Sequence, residues 1–254
     1  MDSEHLELKY VAVKPEKSLT DIVESIWMVR NYSGESTTGI IIPDGKIDLF
    51  LFDKAGSDFE LFISGICTQP VIKPPFPHST MFAISFYPVA AEYIFKQSFS
   101  GLKNTSLMLP ADYWGFSVTD LTDFDNFCKK ACRIITGMLT KEIDYRKKNL
   151  FELIYTSKGE ISVKELSEKT GWSSRQINRY FNAWLGITLK SYINVIRFSN
   201  SLKQLKNGDF YPELNYVDQS HFIREVKKFS GVKPTVLGKN ENDRFIQLSL
   251  LPKD

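Results

Sequence analysis

A run of hydrogen-bond donors lies between Ser174 and Asn182, at a spacing that places the side chains on one face of a helix. This face contains arginines, amides and a hydroxyl but no acidic group: its members are Ser174, Arg175, Asn178, Arg179 and Asn182. Such side chains offer donors that match the edges of guanine and adenine and the phosphate oxygens. The pattern indicates contact with duplex DNA, although a solvated helix face could have the same composition.

Position along the helix separates the expected roles. In a helix that enters the major groove, the residues near its N-terminus reach the base edges. We therefore expect Ser174, Arg175 and Asn178 to read bases. Arg179 is expected to bind a phosphate, a contact that orients the protein without reading sequence. For Asn182 we expect solvent exposure only.

Two short helices joined by a glycine turn must position this face. Ser162 and Glu165 form a capping box, in which the two residues satisfy free backbone amides at the start of the first helix. That helix is predicted to end at Gly171. Ser173 and Gln176 form a second capping box at the start of the next helix, which places both in the candidate DNA-binding segment. A helix, a tight turn and a second helix are typical of a helix-turn-helix motif.

A second copy of this scheme begins at Asp218, 45 residues after Ser173. The exposed residues predicted for its reading helix are Gln219, Ser220, His221, Arg224, Lys227 and Lys228. For His221 we favour a DNA-facing or capping role over a pH switch. A long helix predicted over 189–205 separates the copies, and it could set the two reading helices into major-groove faces roughly 34 Å apart.

The order and identity of these residues resemble the AraC/XylS family of transcription factors. The matching positions are Gly171, Trp172, Ser173, Ser174, Arg175, Gln176, Arg179, Phe181, Gly186, Tyr192, Arg197, Asp218, Gln219, Ser220, His221, Phe222, Arg224, Lys227, Gly231 and Pro234. The resemblance implies a bacterial-type regulator that grips DNA through two helix-turn-helix units. Upstream, residues 42–49 and 64–65 resemble a sensor domain of some members, with no defined ligand. A tight turn at Asp44 and Gly45 is favoured over a ligand site there.

The segment before the second reading helix departs from the family pattern. The family has a small residue and a glycine turn where this chain has Tyr211, Pro212 and Asn215. Proline inside a helix removes a hydrogen bond and clashes with the preceding turn, so we expect the supporting helix to be cut to about one turn or to begin at Pro212. Asn215 can adopt the left-handed turn conformation. These departures, with Val226 in place of the usual phenylalanine, leave open whether the second unit reads bases.

The part of the chain before residue 115 is rich in short β-type runs separated by turn signals. The predicted strands cover residues 25–30, 39–42, 47–53, 59–64 and 80–87. Short, evenly spaced strands favour a small barrel or sandwich, and the resemblance implies a cupin-like sensor domain. From Phe124 to Leu139 an apolar stripe recurs at helical spacing. The stripe could be a dimer seam or could pack on the barrel, since the spacing is identical in both cases.

Together these patterns predict an α+β chain with an N-terminal β-barrel sensor and an all-α double helix-turn-helix domain. The predicted parts are a β-rich sensor over 1–115, a helical linker with a potential dimer contact over 116–157, the DNA-binding domain over 158–240 and a tail over 241–254. The charge distribution agrees with this division. Residues 156–239 contain 14 lysines and arginines against 7 acidic residues, whereas the rest contains 18 against 23. A basic module indicates a polyanionic partner, although a solvated basic face is the alternative.

The sequence argues against a catalytic site, a metal site or a cofactor. Its three histidines are far apart, and Cys128 and Cys132 are expected to be buried apolar side chains. It has no glycine-rich phosphate loop and no nucleophile–base arrangement. Without a signal-peptide pattern or a long apolar run, we expect a soluble, cytoplasmic protein with no membrane partner.

Three function classes remain open from the sequence. The favoured class is a DNA-binding regulator gated by a small-molecule effector, with double-stranded DNA as partner and homodimerisation through the middle helices. The second is a regulator without a ligand, whose N-terminal domain serves assembly or protein contacts. The third is a metal-dependent enzyme built on the barrel, which would need clustered histidine and carboxylate ligands.

Overall fold

An antiparallel sheet of six strands organises the N-terminal half of the chain. The computed structural model describes residues 8–34, 39–54, 59–73, 77–214 and 216–251. The strands are β1 (Leu8–Val13), β2 (Val23–Asn31), β3 (Gly39–Ile41), β4 (Ile47–Lys54), β5 (Phe59–Ser64), β6 (Val71–Lys73), β7 (Ser79–Phe86) and β8 (Ser106–Leu109). The main sheet has the order β1-β2-β7-β4-β5-β8, and β3 pairs with β6 in a separate two-stranded sheet.

Both faces of the main sheet are apolar at its centre. Alternate residues of a strand point to opposite faces, and in β4 Leu49 and Leu51 enter the main core cluster while Phe50 enters another. On that second face Phe50 packs edge-on to Trp27 at 5.9 Å and stacks on Phe62 at 4.7 Å between ring centroids. The sheet must therefore be covered on both sides.

The sheet is open, which corrects the predicted barrel. Closure requires the first and last strands to pair, but among the described strands β1 pairs with β2 and β8 pairs with β5. The α+β class itself is confirmed, because a helical region follows the sheet.

Nine α-helices occur in the described ranges. They are α1 (Ala90–Tyr93), α2 (Phe124–Met138), α3 (Tyr145–Thr156), α4 (Val163–Thr170), α5 (Ser174–Leu185), α6 (Leu189–Lys206), α7 (Gln219–Ser230), α8 (Pro234–Lys239) and α9 (Ile246–Leu250). Side-chain oxygens accept backbone N–H bonds at the N-termini of the longer helices: these caps are Asp123, Asp144, Ser162, Ser173, Thr188 and Asp218. None of the helices in these ranges combines the length and apolar character that a bilayer crossing requires.

The C-terminal segment returns beneath the sheet. Ile246 of α9 packs in the cluster that holds Phe50. Next to it, Phe245 forms a parallel bridge with Ile40, and the Gln247 side-chain oxygen accepts a hydrogen bond from the Ile42 amide at 2.9 Å. The segment that was predicted as a tail thus covers part of the second face of the sheet.

The apolar stripe of α2 packs on the sheet rather than facing outward. Phe127, Ala131 and Ile135 are fully buried in the main core cluster. The Phe127 ring lies 5.2 Å from that of Phe82 in β7, between centroids. Of the two alternatives that the spacing left open, the structure therefore places this stripe inside the chain.

We expect Phe127→Ala to lower the free energy of unfolding by about 3–5 kcal/mol, because it removes a fully buried ring from a packed core. Urea denaturation followed by circular dichroism measures this change. Lys129→Ala, at an exposed position of the same helix, is the matched control and should change stability by less than about 0.5 kcal/mol. A Phe127→Ala protein of wild-type stability whose only defect is a weaker self-association would contradict this packing.

Candidate nucleic-acid interface

Helices α4 and α5 form the predicted helix-turn-helix arrangement. Helix α4 ends at Gly171, which adopts a left-handed conformation with φ of +68°, where glycine is favoured because it has no Cβ. The next helix follows its cap Ser173, whose hydroxyl oxygen accepts a hydrogen bond from the backbone amide of Gln176 at 3.3 Å. Both predicted capping boxes are present. In the capping box of α4, the hydrogen bond from the backbone amide of Ser162 lowers the pKa of the Glu165 carboxyl.

One face of α5 is buried and the other is open. Ile177, Tyr180 and Phe181 are buried, as their helical spacing predicts. On the opposite side Arg175 and Arg179 are exposed, and neither guanidinium forms a hydrogen bond or ion pair with any described residue. Two unneutralised cations on an exposed helix face are available to phosphate oxygens and base edges.

Asn178 has a structural connection that its sequence position did not reveal. Its side-chain nitrogen donates to the Ser174 carbonyl at 3.0 Å, and its side-chain oxygen accepts from the Leu189 amide at 3.2 Å. Leu189 is the first residue of α6, so this amide ties the reading helix to the next helix. Gln176 is similarly engaged, because its side-chain oxygen accepts from the amide of Ser173 at 2.8 Å.

The second unit lacks the supporting helix that was expected before its reading helix. Residues 209–214 and 216–218 contain no helical turn, and Asn215 lies outside the described residues. Here the buried side chain of Gln204 takes over part of the hydrogen bonding. Its amide nitrogen donates to the Tyr211 carbonyl and its oxygen accepts from the Glu213 amide at 3.4 Å. A segment with Pro212 at its centre is thus held by a side chain of α6, which corrects the prediction of a shortened helix.

Helix α7 nevertheless presents the predicted polar residues. The side chain of its cap Asp218 accepts a hydrogen bond from the backbone amide of His221 at 2.7 Å. The buried face of the helix includes Phe222 and Val226. Its exposed polar residues are Gln219, Ser220, Arg224, Lys227 and Lys228. Of these, Lys228 pairs with Glu225 at 3.2 Å. His221 is half-buried, and its Nδ1 accepts from the Val217 amide at 3.4 Å, a geometry that fits the capping alternative.

Helix α6 separates the two reading helices. Its 18 residues span about 27 Å at the rise of an α-helix, and both α5 and α7 contact it. Arg197 on this helix donates two hydrogen bonds, at 3.1 and 2.8 Å, to the carbonyl of Gly159. The guanidinium thereby anchors the chain where it enters α4.

The sheet half of the chain caps the C-terminus of α5, a contact that the sequence analysis missed. The Phe99 amide donates to the Trp184 carbonyl at 2.8 Å, and the Ser98 hydroxyl donates to the Ala183 carbonyl at 2.6 Å. These bonds satisfy carbonyls that a helix end leaves free. Gly186 follows with φ of +66°, and a Cβ at this position would overlap the Ser100 carbonyl oxygen. In the sequence Gly186 stands out only as a position that matches the family, and no local pattern relates it to residues 98–100.

Comparison with known families agrees with this geometry. Residues 166–240 match a family model described as a helix-turn-helix domain. Residues 166–240 form an AraC/XylS-type helix-turn-helix domain. Upstream of this AraC/XylS-type domain, residues 11–108 match a family described as a domain of unknown function, DUF6597.

Individual relatives are similar over different parts of the chain. Over 65 residues the chain is 37% identical to YbfI of Bacillus subtilis (strain 168), described as an uncharacterized HTH-type transcriptional regulator. The match covers 24% of this chain and 24% of that relative. A 1.65 Å structure of ToxT from Vibrio cholerae is 12% identical, with a TM-score of 0.47 over 83% of this chain and 96% of that one. Another ToxT structure, from strain O395, is 10% identical, with a TM-score of 0.48 over 91% and 96% of the two chains.

The contact between Gly186 and Ser100 can be tested with a pair of glycine substitutions. Gly171→Ala and Gly186→Ala both place a side chain at a left-handed position, which costs about 1–2 kcal/mol. A Cβ at Gly171 has no heavy atom within 4 Å, so only Gly186→Ala also strains the contact with the sheet half. We expect the free energy of unfolding of Gly186→Ala to be lower than that of Gly171→Ala by about 1–3 kcal/mol. Urea denaturation measures this difference. Equal losses would mean that α5 does not rest on residues 98–100.

Proposed function

We propose that the chain is a sequence-specific DNA-binding transcriptional regulator that acts in the cytoplasm. The observation that carries the proposal is the exposed face of α5, where Arg175 and Arg179 have no intramolecular partner. An exposed arginine pair on the second helix of a helix-turn-helix unit matches the chemistry of major-groove recognition.

The proposed roles follow the positions along α5. Ser174 and Arg175, in the first turn, contact base edges, and Arg179 contacts a phosphate. Ser173 and Gln176 hold the helix start in place through their capping box. Asn178 acts mainly through its bonds to α6 and the Ser174 carbonyl.

Helix α7 supplies the second contact to the same duplex. Its exposed Arg224 and Lys227 are the phosphate ligands that we propose, with Gln219, Ser220 and His221 nearest the groove and Lys228 at its margin. Because the described residues 209–214 and 216–218 form no supporting helix, the orientation of α7 depends on Gln204 and on the packing of Phe222 and Val226.

We further propose that the sheet half, residues 1–115, responds to a small-molecule effector and that 116–157 connect it to the DNA-binding part at 158–240. Support comes from a cavity of about 220 Å³ between the two sheets, lined among others by Ile41, Phe50, Ser64 and Val71. Cavities with mixed apolar and polar walls are typical of small-molecule sites.

Binding to DNA tests the main proposal. A duplex library is selected with the purified chain, and affinities for selected and random duplexes are compared between about 50 and 200 mM salt. We expect Arg175→Ala to lose about 1–3 kcal/mol on the selected duplex and less on random DNA, since it removes a base contact. Arg179→Ala should weaken both duplexes alike and reduce the salt slope by about 1.

Asn182→Ala provides the matched control on the same helix face, where an exposed side chain without a proposed role should leave both affinities unchanged. Unaltered selectivity in Arg175→Ala would remove its base-reading role. A wild-type chain without any salt-sensitive affinity for duplex DNA would overturn the function itself.

A further inference from the structure

A second cavity lies between the sheet and the DNA-binding helices. Its volume is about 340 Å³, and it is lined by residues of β1, β2, β4 and β7 on one side and by α6 and the C-terminal segment on the other. Ser199 and Leu202 of α6 and Gln247 of α9 form the helical wall. A molecule in this space would touch both halves of the chain at once.

The sheet side of this cavity carries more carboxyl groups than basic groups. Glu24, Asp44 and Asp48 all line it, and Lys14 and Lys46 are the cations among the lining residues. Glu24 is already paired with Lys14. The carboxyl groups without an ion-pair partner are therefore those of Asp44 and Asp48, which flank Lys46 in the sequence.

Lys46 does not neutralise these aspartates by direct contact. Its ammonium nitrogen lies over the rings of Tyr87 and Tyr155, at 5.0 and 4.9 Å from their centroids, which is an attractive cation–π arrangement. Its hydrogen-bond acceptor is the backbone carbonyl of Asp44 at 3.4 Å. Among the described residues Lys46 has no carboxylate oxygen within ion-pair distance.

Asp48 is the group whose environment points to a missing partner. Its side chain belongs to a residue only 6% exposed. One carboxylate oxygen accepts from the Ser85 hydroxyl, which in turn accepts from the Trp27 indole N–H at 2.9 Å. The other oxygen accepts no hydrogen bond from the described residues. Burial, with Asp44 nearby, raises the pKa of Asp48 to about 8.

A largely buried carboxyl group whose second oxygen has no hydrogen-bond partner keeps its proton, as the raised pKa of Asp48 indicates, unless a cation takes the place of that proton. The cavity beside it offers room for a compensating molecule, and the Trp27 ring in its wall suits the apolar part of such a molecule. We propose that this interdomain cavity binds a small organic cation, a primary amine or a guanidinium, with Asp48 as its counter-ion. The proposal names the ligand class of the effector function and rests on that function.

The position of the cavity explains how such a cation would affect DNA binding. Ligand contacts with Ser199 and Leu202 act on α6, which carries both reading helices, and a contact with Gln247 acts on the segment beneath the sheet. A ligand that prefers one arrangement of these walls shifts the population toward it, by no more than its difference in affinity between the arrangements.

Thermal denaturation of the full chain with four probes tests the inference without DNA. Phenethylamine and agmatine are the cations, 2-phenylethanol is the uncharged match and phenylacetate is the anion. At about ten times its Kd a cation should raise Tm by about 3–6 °C, whereas the alcohol and the anion should have no effect. Equal shifts with phenethylamine and 2-phenylethanol, or no shift with either amine, would overturn the proposal.

Two variants locate the effect. Asp48→Asn keeps the shape of the side chain and should abolish the shift with the amines, whereas Asp112→Asn, at an exposed carboxylate, should retain it. If Asp48→Asn fails to fold, Ser199→Leu fills the cavity from α6 without touching a carboxylate and should also abolish the shift. A full shift in either cavity variant places the amine elsewhere and refutes the site.

Salt-dependent DNA binding of the wild-type chain is measured in parallel, without amine. Intact DNA binding together with no amine response overturns the cation site alone. Loss of DNA binding with an intact amine response overturns the regulator function and leaves the site standing.

Discussion

The contact between Gly45 and Tyr192 joins the two halves of the chain. Tyr192 lies in the first turn of α6 and is fully buried, and a buried hydroxyl is costly unless it is hydrogen-bonded. Its hydroxyl group donates to the Gly45 carbonyl at 3.1 Å, and its oxygen lies 2.6 Å from the hydroxyl oxygen of Tyr155. A Cβ at Gly45 would lie only 2.6 Å from Ile196. The turn predicted at this glycine is therefore also the place where the sheet half meets α3 and α6.

Through this junction the AraC/XylS-type domain shares a hydrophobic core with the sheet half and is not a separately packed domain. The main apolar cluster runs without interruption from Leu49 in the sheet to Phe181 in α5. Packed interiors transmit strain because they have little free volume. The hydrogen bonds from residues 98–99 to the end of α5 connect this reading helix to the sheet half at a second point. The cavity next to α6 therefore borders the helix that packs against both reading helices.

Local patterns predicted the first reading unit in detail. The caps at Ser162 and Ser173 and the left-handed glycine at Gly171 are all present, because capping bonds span only three residues and depend little on the rest of the fold. Likewise β5 covers the predicted 59–64, since strand alternation is a local signal. The predicted barrel was wrong for a related reason: alternation identifies strands but does not say whether the outer two will pair.

The sequence by itself determined the helix-turn-helix unit of α4 and α5, the polar face that it presents and the α+β class. Only the tertiary structure decided that Asn178 bonds to the start of α6, that Gln204 replaces the supporting helix of the second unit, and that α9 lies beneath the sheet. The physical reason is distance along the chain. The bond from Ser98 to Ala183 joins residues 85 positions apart, and no helical or strand periodicity extends over such a separation. Such partners are chosen by which surfaces the folded core brings together.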